Sequence, residues 1–295
     1  MRLESPDHVI DERVIGILCA TKKEYMSFVS KLTPSEEEQR YGGFIVFEGA
    51  LEQRPVVVAC SGIGKVAAGA ATQHILDKYH PSILIDFGAA GSLVDDLEVG
   101  DVIVAERLYQ GDVGVVHGGG YGHMGAAREI DGQMVNVREY KSDPSLVKAA
   151  RMVVSSNTFS GYQFSVHFKP IVTCDQVVYS REYRAELNRA YGGVAVEMEG
   201  AAVAQVASMH GCPFLVVRSI SDKLDFDLEG FEKLARYLGE SRAACWLRRA
   251  RFSAVHPGEV LKVGSLLTGL ERAYENAALV TYDVAKEFVV RSNER

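Results

Sequence analysis

Short apolar runs alternate along the chain with longer segments in which apolar residues recur at helical spacing. The short runs, rich in β-branched residues, predict eight strands, at 14–19, 44–48, 56–60, 83–87, 101–108, 170–174, 194–198 and 214–219. Helical spacing predicts six helices, at 22–32, 64–79, 145–156, 181–191, 200–210 and 267–291. Asp143 and Ser180 stand where helix N-caps are expected.

This alternation predicts an α/β protein. Most of the strands are nearly continuous in apolar residues, which is typical of strands buried on both faces. We therefore expect a three-layer sandwich, in which a central, twisted, mixed but mostly parallel sheet is flanked by helices. The chain, 1–295, is expected to be a single domain. Residues 111–125 hold seven of the 28 glycines and predict a flexible loop, whereas 228–264 predicts a helical insertion.

Composition and charge narrow the functional classes. With 295 residues, 47% of them hydrophobic and 24% charged, the chain has the usage of an ordinary globular protein. A net charge of -7 is the wrong sign for binding phosphate backbones, so no nucleic-acid partner is expected. The first residues contain no apolar run suited to a signal peptide, and no later stretch suits a membrane helix. We expect a cytoplasmic protein with no membrane partner.

The cysteines do not indicate a metal site or a disulfide framework. Their number is odd and none form a CxxC pair, at Cys19, Cys60, Cys174, Cys212 and Cys245. We interpret them as small core residues. No cluster of histidine, cysteine and carboxylate has the spacing of metal ligands, so the sequence predicts neither a metal nor an organic cofactor.

Polar residues follow several of the predicted strands directly. In an open α/β sheet, ligands bind beyond the carboxyl ends of the strands, so these residues are candidates for a site. They are Thr21 and Glu24 after the first strand, Ser61 to Gly64 after the third, Gly88 to Gly91 after the fourth, Asp175 after the sixth, and Arg218 and Asp222 at the last. Several carboxylates are therefore expected to converge at one edge of the sheet.

Glu197 and Glu199 are separated by one residue, Met198, at the end of a predicted strand. Strand alternation puts both glutamates on one face and Met198 on the other. Two carboxylates would repel each other inside a core, but they suit the hydroxyls of a ribose, and the thioether of Met198 would lie against the apolar side of the sugar if the strand ends in a bend. The alternative is an exposed strand end with one solvated glutamate.

A second interpretation is dinucleotide binding. Gly62-x-Gly64-x-x-Ala67 follows a strand, and Asp86 ends the next one, as in a loose dinucleotide-binding fingerprint. The match is weak because it falls in the third strand–helix unit. Gly64-Lys65-Val66 also lacks the Ser or Thr of a phosphate-binding P-loop.

Five segments together resemble the nucleoside phosphorylase superfamily and, within it, the methylthioadenosine/S-adenosylhomocysteine nucleosidases. The similarity extends over 14–225, and the last two segments are specific in their order and spacing. The segments are Gly16-Ile-Leu-Cys-Ala-Thr-Lys-Lys-Glu24, Ser61-Gly-Ile-Gly-Lys-Val-Ala-Ala68, Phe87-Gly-Ala-Ala-Gly-Ser92, Val196-Glu-Met-Glu-Gly-Ala201 and Val217-Arg-Ser-Ile-Ser-Asp222. The resemblance implies an enzyme of this fold that hydrolyses the N-glycosidic bond of a purine nucleoside.

The resemblance also implies three catalytic residues. Glu24 matches the base that orients the attacking water, and Asp222 matches the acid that protonates N7 of the purine. Arg218 is expected near the water and Glu24. Such a division of labour suits the reaction, because breaking an N-glycosidic bond builds positive charge on the sugar and negative charge on the base.

The same resemblance implies the substrate contacts. Glu199 would hold the ribose hydroxyls, Glu197 would be a second ribose contact, and Met198 would pack beneath the ribose. The main chain around Val178 would contact the edge of the base. The remaining candidates are Ile63, Ser221, Val177, which stands where the family has an aromatic residue, and Ala89, which stands where it often has serine.

Water is expected to be the nucleophile. Similar phosphorylases carry an early Gly-Asp-Pro-x-Arg segment, because a dianionic nucleophile needs fixed cations. Here that loop contains Lys22 and Lys23, and the carboxylate of Asp86 precedes the glycine-rich turn. Phosphorolysis with the two lysines as phosphate ligands is the main alternative, and a non-catalytic nucleoside-binding protein is the second.

The identity of the nucleoside stays open. Methylthioadenosine, adenosylhomocysteine, a futalosine-like nucleoside and another purine nucleoside are all compatible with the sequence, because the departures at Thr21, Ala89 and Val177 touch the expected site. The resemblance also implies a homodimer, since related pockets are commonly completed by a neighbouring subunit.

Overall fold

The computed structural model of the protein describes residues 14–34, 38–118, 120–130, 132–156, 158–223 and 257–293. Its helices are α1 (Lys22–Val29), α2 (Lys65–Tyr79), α3 (Pro144–Ser155), α4 (Arg181–Tyr191), α5 (Gly200–Met209) and α6 (Pro257–Asn293). All six predicted helices are present. Asp143 and Ser180 cap α3 and α4 through their side chains, as predicted.

All eight predicted strands are also present, together with shorter ones. The strands are β1 (Ile15–Cys19), β2 (Thr33–Pro34), β3 (Gln39–Tyr41), β4 (Phe44–Leu51), β5 (Arg54–Cys60), β6 (Ile83–Ser92), β7 (Val102–Gln110), β8 (Gly114–His117), β9 (Gly120–His123), β10 (Ala126–Ile130), β11 (Gln133–Val137), β12 (Tyr140–Lys141), β13 (Val166–Thr173), β14 (Ala195–Glu197) and β15 (Phe214–Asp222).

The central sheet is mixed and closes on itself at one end. β1 lies between β5 and β6 and is parallel to both. Beyond β6 the strands form a ring in the order β6, β15, β7, β13 and β14, in which β14 returns to β6. The α/β class with helices around a mixed sheet is confirmed, but the central layer of the expected three-layer sandwich is corrected, because the sheet closes into a ring through the antiparallel pairs β14–β6 and β15–β7.

The ring forms because β6 changes neighbours along its length. Its first residues, Ile83 to Asp86, pair with β1, whereas Gly91 and Ser92 pair with β14. The segment between them is Phe87-Gly-Ala-Ala, and small residues without bulky side chains allow a strand to bend sharply. β6 therefore pairs with the open part of the sheet at its start and with the ring at its end.

Two helix layers cover the sheet, as expected. Ile15 and Ile17 of β1 pack in one core with Phe28 of α1, Ala149 of α3 and Val280 of α6. Alternate residues point to the other face, where a second core joins Leu18 of β1 to Ile75 of α2 and Val203 of α5. Each layer therefore takes every second residue of the central strands.

The glycine-rich segment 111–125 is not a loop, which corrects the prediction. It contains the antiparallel hairpin β8–β9, and a second hairpin, β10–β11, follows it. Gly120 and Gly125 have positive φ values of 128° and 82°, so these two glycines serve backbone turns at the hairpin.

Two other predictions fall partly on residues outside the described ranges. Most of the predicted insertion, 228–264, lies there, and its last residues belong to the start of α6. The single domain over 1–295 therefore stays a prediction. Among the helices of the described ranges we find none with the length and apolar character needed to span a lipid bilayer.

Candidate active site

The predicted site residues lie on strands that extend further than the apolar pattern indicates. Gly88 and Gly91 belong to the end of β6, and Arg218 and Asp222 belong to β15. These strands run side by side and parallel, with Arg218 opposite Gly88 and Asp222 opposite Gly91. The bend in β6 and the length of β15 therefore bring these groups together at the carboxyl edge of the sheet.

Arg218 lies at the centre of three buried carboxylates, Asp86, Glu197 and Glu199, which we call the carboxylate cluster. Its Nη2 atom is 2.6 Å from Asp86 Oδ2, 2.5 Å from Glu197 Oε2 and 3.8 Å from Glu199 Oε2. Because β6, β14 and β15 each contribute one of these groups, the cluster ties three strands of the ring together. Both glutamates lie near the same cation, Arg218, which the sequence did not predict, and β14 ends at Glu197.

One guanidinium cannot balance three carboxylates, and burial penalises the unbalanced charge. Burial raises the pKa of Asp86 from 3.8 to about 7, against the opposing effect of Arg218. Burial and the neighbouring Glu197 raise the pKa of Glu199 as well. The three carboxylates in turn raise the pKa of Arg218. The cluster is therefore a buried, acidic site that holds a permanent cation.

The two glutamates of the cluster differ in how many protein groups they bind. Glu197 Oε2 accepts hydrogen bonds from the main-chain N–H groups of Glu199 and Gly200, at 2.9 and 2.7 Å, besides the arginine. Its other oxygen accepts from the Thr173 hydroxyl. Glu199 Oε1 accepts from the Gly64 N–H at 2.8 Å, while Oε2 lies 3.8 Å from Arg218. Glu197 thus holds the start of α5, and Glu199 Oε2 is the oxygen better placed for a ligand.

Glu24 is fixed at the start of α1 by a capping box with Thr21. Its Oε2 atom accepts from the main-chain N–H groups of Ala20 and Thr21 at 3.1 and 2.7 Å. Its Oε1 atom accepts from the Ala89 N–H at 3.0 Å, which fastens the carboxylate to the bent part of β6. A buried carboxylate with this set of donors has a fixed position at the edge of the site.

A cavity of about 210 Å³ lies beside these groups, and we call it the Asp222 cavity. It is lined by seven of the predicted substrate and catalytic residues and by parts of α4 and α6. The predicted residues in its wall are Ala89, Val177, Val178, Glu197, Met198, Ser221 and Asp222. The sequence-based expectation that these side chains meet is therefore correct for most of the set.

Four predicted residues do not line the Asp222 cavity. Glu24 reaches its wall through the hydrogen bond to Ala89, whereas Arg218 and Glu199 belong to the carboxylate cluster. Ile63 is 63% exposed, on the loop before α2. Val177, although in the cavity wall, is 62% exposed, so both apolar side chains face outward at the mouth of the site.

Arg184 of α4 is a residue of the site that was not predicted from the sequence. It is buried, and its Nη2 atom lies 2.5 Å from Asp222 Oδ2, while Ser221 Oγ donates to Asp222 Oδ1 at 2.7 Å. An indication was present in the sequence: with Ser180 as N-cap, Arg184 and Leu187 occupy the inward side of the helix. An arginine among inward positions points to a buried anionic partner.

The structure gives little support to dinucleotide binding or to phosphorolysis with lysines as phosphate ligands. At the start of α2, the Gly64 and Lys65 N–H groups already bind Glu199 and Asp175, at 2.8 and 2.7 Å, so this helix end does not present them to a dinucleotide phosphate. Lys23 Nζ lies 2.8 Å from Glu271 of α6, on the surface. Within the described ranges, no group of three or more His, Cys, Asp or Glu side chains has the arrangement of a metal site.

The curled mixed sheet and the acid-lined cavity at its carboxyl edge define an α/β enzyme class equipped for acid–base chemistry on a small ligand. A family model described as the phosphorylase superfamily matches residues 14–250, and the chain belongs to this superfamily. The resemblance inferred from the five sequence segments is confirmed.

Individual relatives agree with this assignment. The chain is 32% identical over 234 residues to a 5'-methylthioadenosine/S-adenosylhomocysteine nucleosidase of Listeria monocytogenes. The aligned region covers 78% of this chain and 96% of the relative. The corresponding nucleosidase of Neisseria meningitidis, solved with methylthio-immucillin-A, superimposes with a TM-score of 0.70 at 27% identity, covering 93% of this chain and 99% of that one. Futalosine hydrolase of Helicobacter pylori superimposes equally well, at 26% identity, with 94% and 99% covered.

Proposed function

We propose that the protein hydrolyses the N-glycosidic bond of a purine nucleoside and releases the free base and a ribose derivative. One observation carries the proposal: Glu24 is bound to Ala89, and Ala89 lines the same cavity as Asp222. The proposed base is thus fixed to the wall of the cavity that the proposed acid lines, and cleavage of this bond needs both groups at one substrate. The names of the nucleosidase relatives support the reaction class.

The proposed reaction uses two proton transfers. Glu24 takes a proton from water as the water oxygen bonds to C1' of the ribose. The bond between C1' and N9 breaks, its electron pair stays with the purine, and Asp222 gives a proton to N7. For this step Asp222 carries a proton in the substrate complex. The net reaction adds one water across the bond and requires no other reactant.

The ribose is proposed to lie between Met198 and Glu199. Glu199 Oε2 lies 3.8 Å from Arg218 Nη2, beyond hydrogen-bond distance, so it is suited to accept from ribose hydroxyls. Met198 lines the Asp222 cavity and supplies an apolar surface for the sugar. Arg218 limits the charge of the cluster and so allows a neutral nucleoside to bind beside it.

Water is favoured over phosphate as the nucleophile. The cation of the cluster, Arg218, is already engaged by Asp86 and Glu197 at 2.6 and 2.5 Å, so it is poorly placed to hold a phosphate dianion as well. Lys23 is held on the surface by Glu271. Phosphorolysis stays the alternative outcome of the test below.

The deciding experiment is base release from methylthioadenosine, adenosylhomocysteine, adenosine and inosine, each with and without phosphate. We expect release without phosphate and a free ribose derivative by mass spectrometry. Sugar 1-phosphate formed only with phosphate would replace hydrolysis by phosphorolysis. No release from any nucleoside, with the nucleosides bound in calorimetry, would favour the binding-protein alternative.

Two variants test the proposed roles. Glu24→Gln and Asp222→Asn are each expected to lower kcat by about 10²- to 10⁴-fold, because each removes one proton-transfer group. Glu271→Gln and Asp95→Asn are matched controls, since both side chains are exposed in surface ion pairs. Wild-type turnover by either site variant would remove that residue from the mechanism.

We further propose that the protein acts as a homodimer through the face that carries the start of α2 and the β8–β9 hairpin. Val66 and Val116 are 84% and 83% exposed there. Lys65 links the two segments, because its Nζ atom lies 2.6 Å from Asp112, just before β8. Exposed apolar side chains grouped near a site are typical of a protein interface. The cytoplasmic location predicted from the sequence is part of the same proposal.

A further inference from the structure

Arg184 is a feature of the Asp222 cavity that the proposed reaction does not use. It lines the cavity, is 1% exposed, and carries a charge that persists at any accessible pH. Burying a guanidinium is costly unless it is paired and hydrogen-bonded, and Arg184 is paired with the proposed acid. Its contacts indicate which chemical group of a base the cavity accepts.

The guanidinium binds two acceptors of residues in the cavity wall, the Val178 carbonyl and the Asp222 carboxylate. Arg184 Nε donates to the Val178 carbonyl at 2.7 Å, and Nη2 donates to Asp222 Oδ2 at 2.5 Å. Nη1 donates to the carbonyls of Ser92 and Lys223, at 3.0 and 2.9 Å. An exocyclic amino group of a base would have to compete with a permanent cation for either of the first two acceptors.

The same arrangement favours a carbonyl. The hydrogen bonds above use one of the two Nη2 hydrogens, and a side chain at Gly91 would crowd this atom, since its Cβ would stand 3.0 Å from Nη2. A purine presents N7 as an acceptor on this edge, next to either a 6-carbonyl acceptor or a 6-amino donor. Arginine pairs with the 6-carbonyl and N7 edge, not with the 6-amino edge.

We propose that Arg184 makes the protein selective for nucleosides of 6-oxopurines over the matching 6-aminopurines. This inference rests on the proposed function and specifies its leaving base. In the substrate complex, Arg184 Nη2 donates to the 6-carbonyl oxygen while Asp222 protonates N7. Arg184 is thus a specificity residue that contacts the base, and the ribose and 5' contacts are independent of it.

The first test uses the wild-type protein and substrate pairs that differ at one atom position of the base: inosine against adenosine, and 5'-methylthioinosine against 5'-methylthioadenosine. We expect kcat/KM to be about 10- to 100-fold higher for the 6-oxo member of each pair, as is typical of one well-placed arginine–base contact. Equal values, or a higher value for the 6-amino member, would overturn the selectivity and leave hydrolysis standing.

The second test compares Arg184→Gln with Arg181→Gln. Glutamine can donate or accept, so Arg184→Gln is expected to bring the kcat/KM ratio of each pair down at least tenfold, toward unity. Arg181 lies on the same helix but is exposed and paired with Asp95, so its variant should keep the wild-type ratio. A general loss of stability lowers kcat/KM for both substrates alike and does not change their ratio. An unchanged ratio in Arg184→Gln would remove Arg184 from base selection.

Binding of the free bases tests the base selectivity independently of hydrolysis. Calorimetry of the wild-type protein should give tighter binding of hypoxanthine than of adenine. If no nucleoside is hydrolysed but hypoxanthine is preferred, the reaction fails and the base selectivity stands. If adenine binds as tightly, the selectivity fails whatever the reaction.

Discussion

At the scale of single residues, Gly88 keeps the space in which the Glu24 carboxylate lies. A Cβ at this position would stand 2.5 Å from Glu24 Oε1 and 3.5 Å from Arg218 Nη1. Gly88→Ala is therefore expected to displace Glu24 from the Ala89 N–H and to lower kcat by about 10²-fold, as loss of a positioned base does. Steady-state kinetics with the best substrate of the panel measures this.

Gly43→Ala is the matched control for that substitution. A Cβ at Gly43 meets no atom within 4 Å, and its φ is not in the left-handed region, so both activity and stability should be unchanged. Thermal unfolding of both variants separates a displaced base from a damaged fold. Wild-type kcat in Gly88→Ala would mean that the Glu24 position does not matter for turnover.

At the scale of strands and helices, the apolar pattern located every long element but ended several strands too early, among them the two strands of the site, β6 and β15. The predicted strands stop at Phe87 and Ser219, where apolar runs give way to glycine, alanine and polar residues, yet β6 and β15 continue to Ser92 and Asp222. A strand at a functional site carries polar residues because its side chains face ligands and ions instead of a core. Pattern alone does not distinguish such a strand from a loop.

The role of Arg184 and the ring of strands both depend on contacts between residues that are far apart along the chain. One arginine at an inward helix position is a weak sequence indication, because its partner, Asp222, is 38 residues away along the chain. Closure of the sheet depends on the β6–β14 and β15–β7 pairs, which the order of elements does not specify. The resemblance supplies residue types but not distances, so the contacts between the site residues could not be predicted from the sequence.

The carboxylate cluster gives the strand ring a pH-dependent stability. Burial raises the folded-state pKa of Asp86 to about 7, whereas an unfolded aspartate has a pKa near 3.9. Between these values the folded state binds more protons, so the contribution of Asp86 is fully present below pH 4 and is lost as the pH rises to about 7. Relative to Asp86→Asn, the wild type should lose up to about 1.4 kcal/mol of unfolding free energy per pH unit in this window.

Urea unfolding at pH 5 and pH 8 measures the difference between the two proteins. Asp95→Asn is the control. Because Asp95 is exposed, this variant should have the same unfolding free energy as the wild type at pH 5 and at pH 8. A difference between wild type and Asp86→Asn that is the same at pH 5 and pH 8, or that favours the wild type more at pH 8, would mean that Asp86 is ionised throughout.

At the scale of the whole molecule, the two helix layers present different surfaces. The layer of α2 and α5 carries the exposed Val66 next to the β8–β9 hairpin, while the layer of α1, α3 and α6 carries the exposed Met26. Site residues Ile63 and Val177 face outward on the first side, close to Lys65 and Asp175. An interface there would cover the mouth of the Asp222 cavity, so assembly and substrate binding should be coupled.

This coupling predicts the result of a charge placed on each layer. Light scattering of the wild type at micromolar concentration should give twice the chain mass of 32.3 kDa. Val66→Asp should give a monomer with a raised KM, because burying an unpaired carboxylate in an apolar interface is strongly unfavourable. Met26→Asp adds the same charge to the opposite layer and should stay dimeric with wild-type KM. A monomeric wild type would remove the homodimer, and a dimeric Val66→Asp would move the interface to another face.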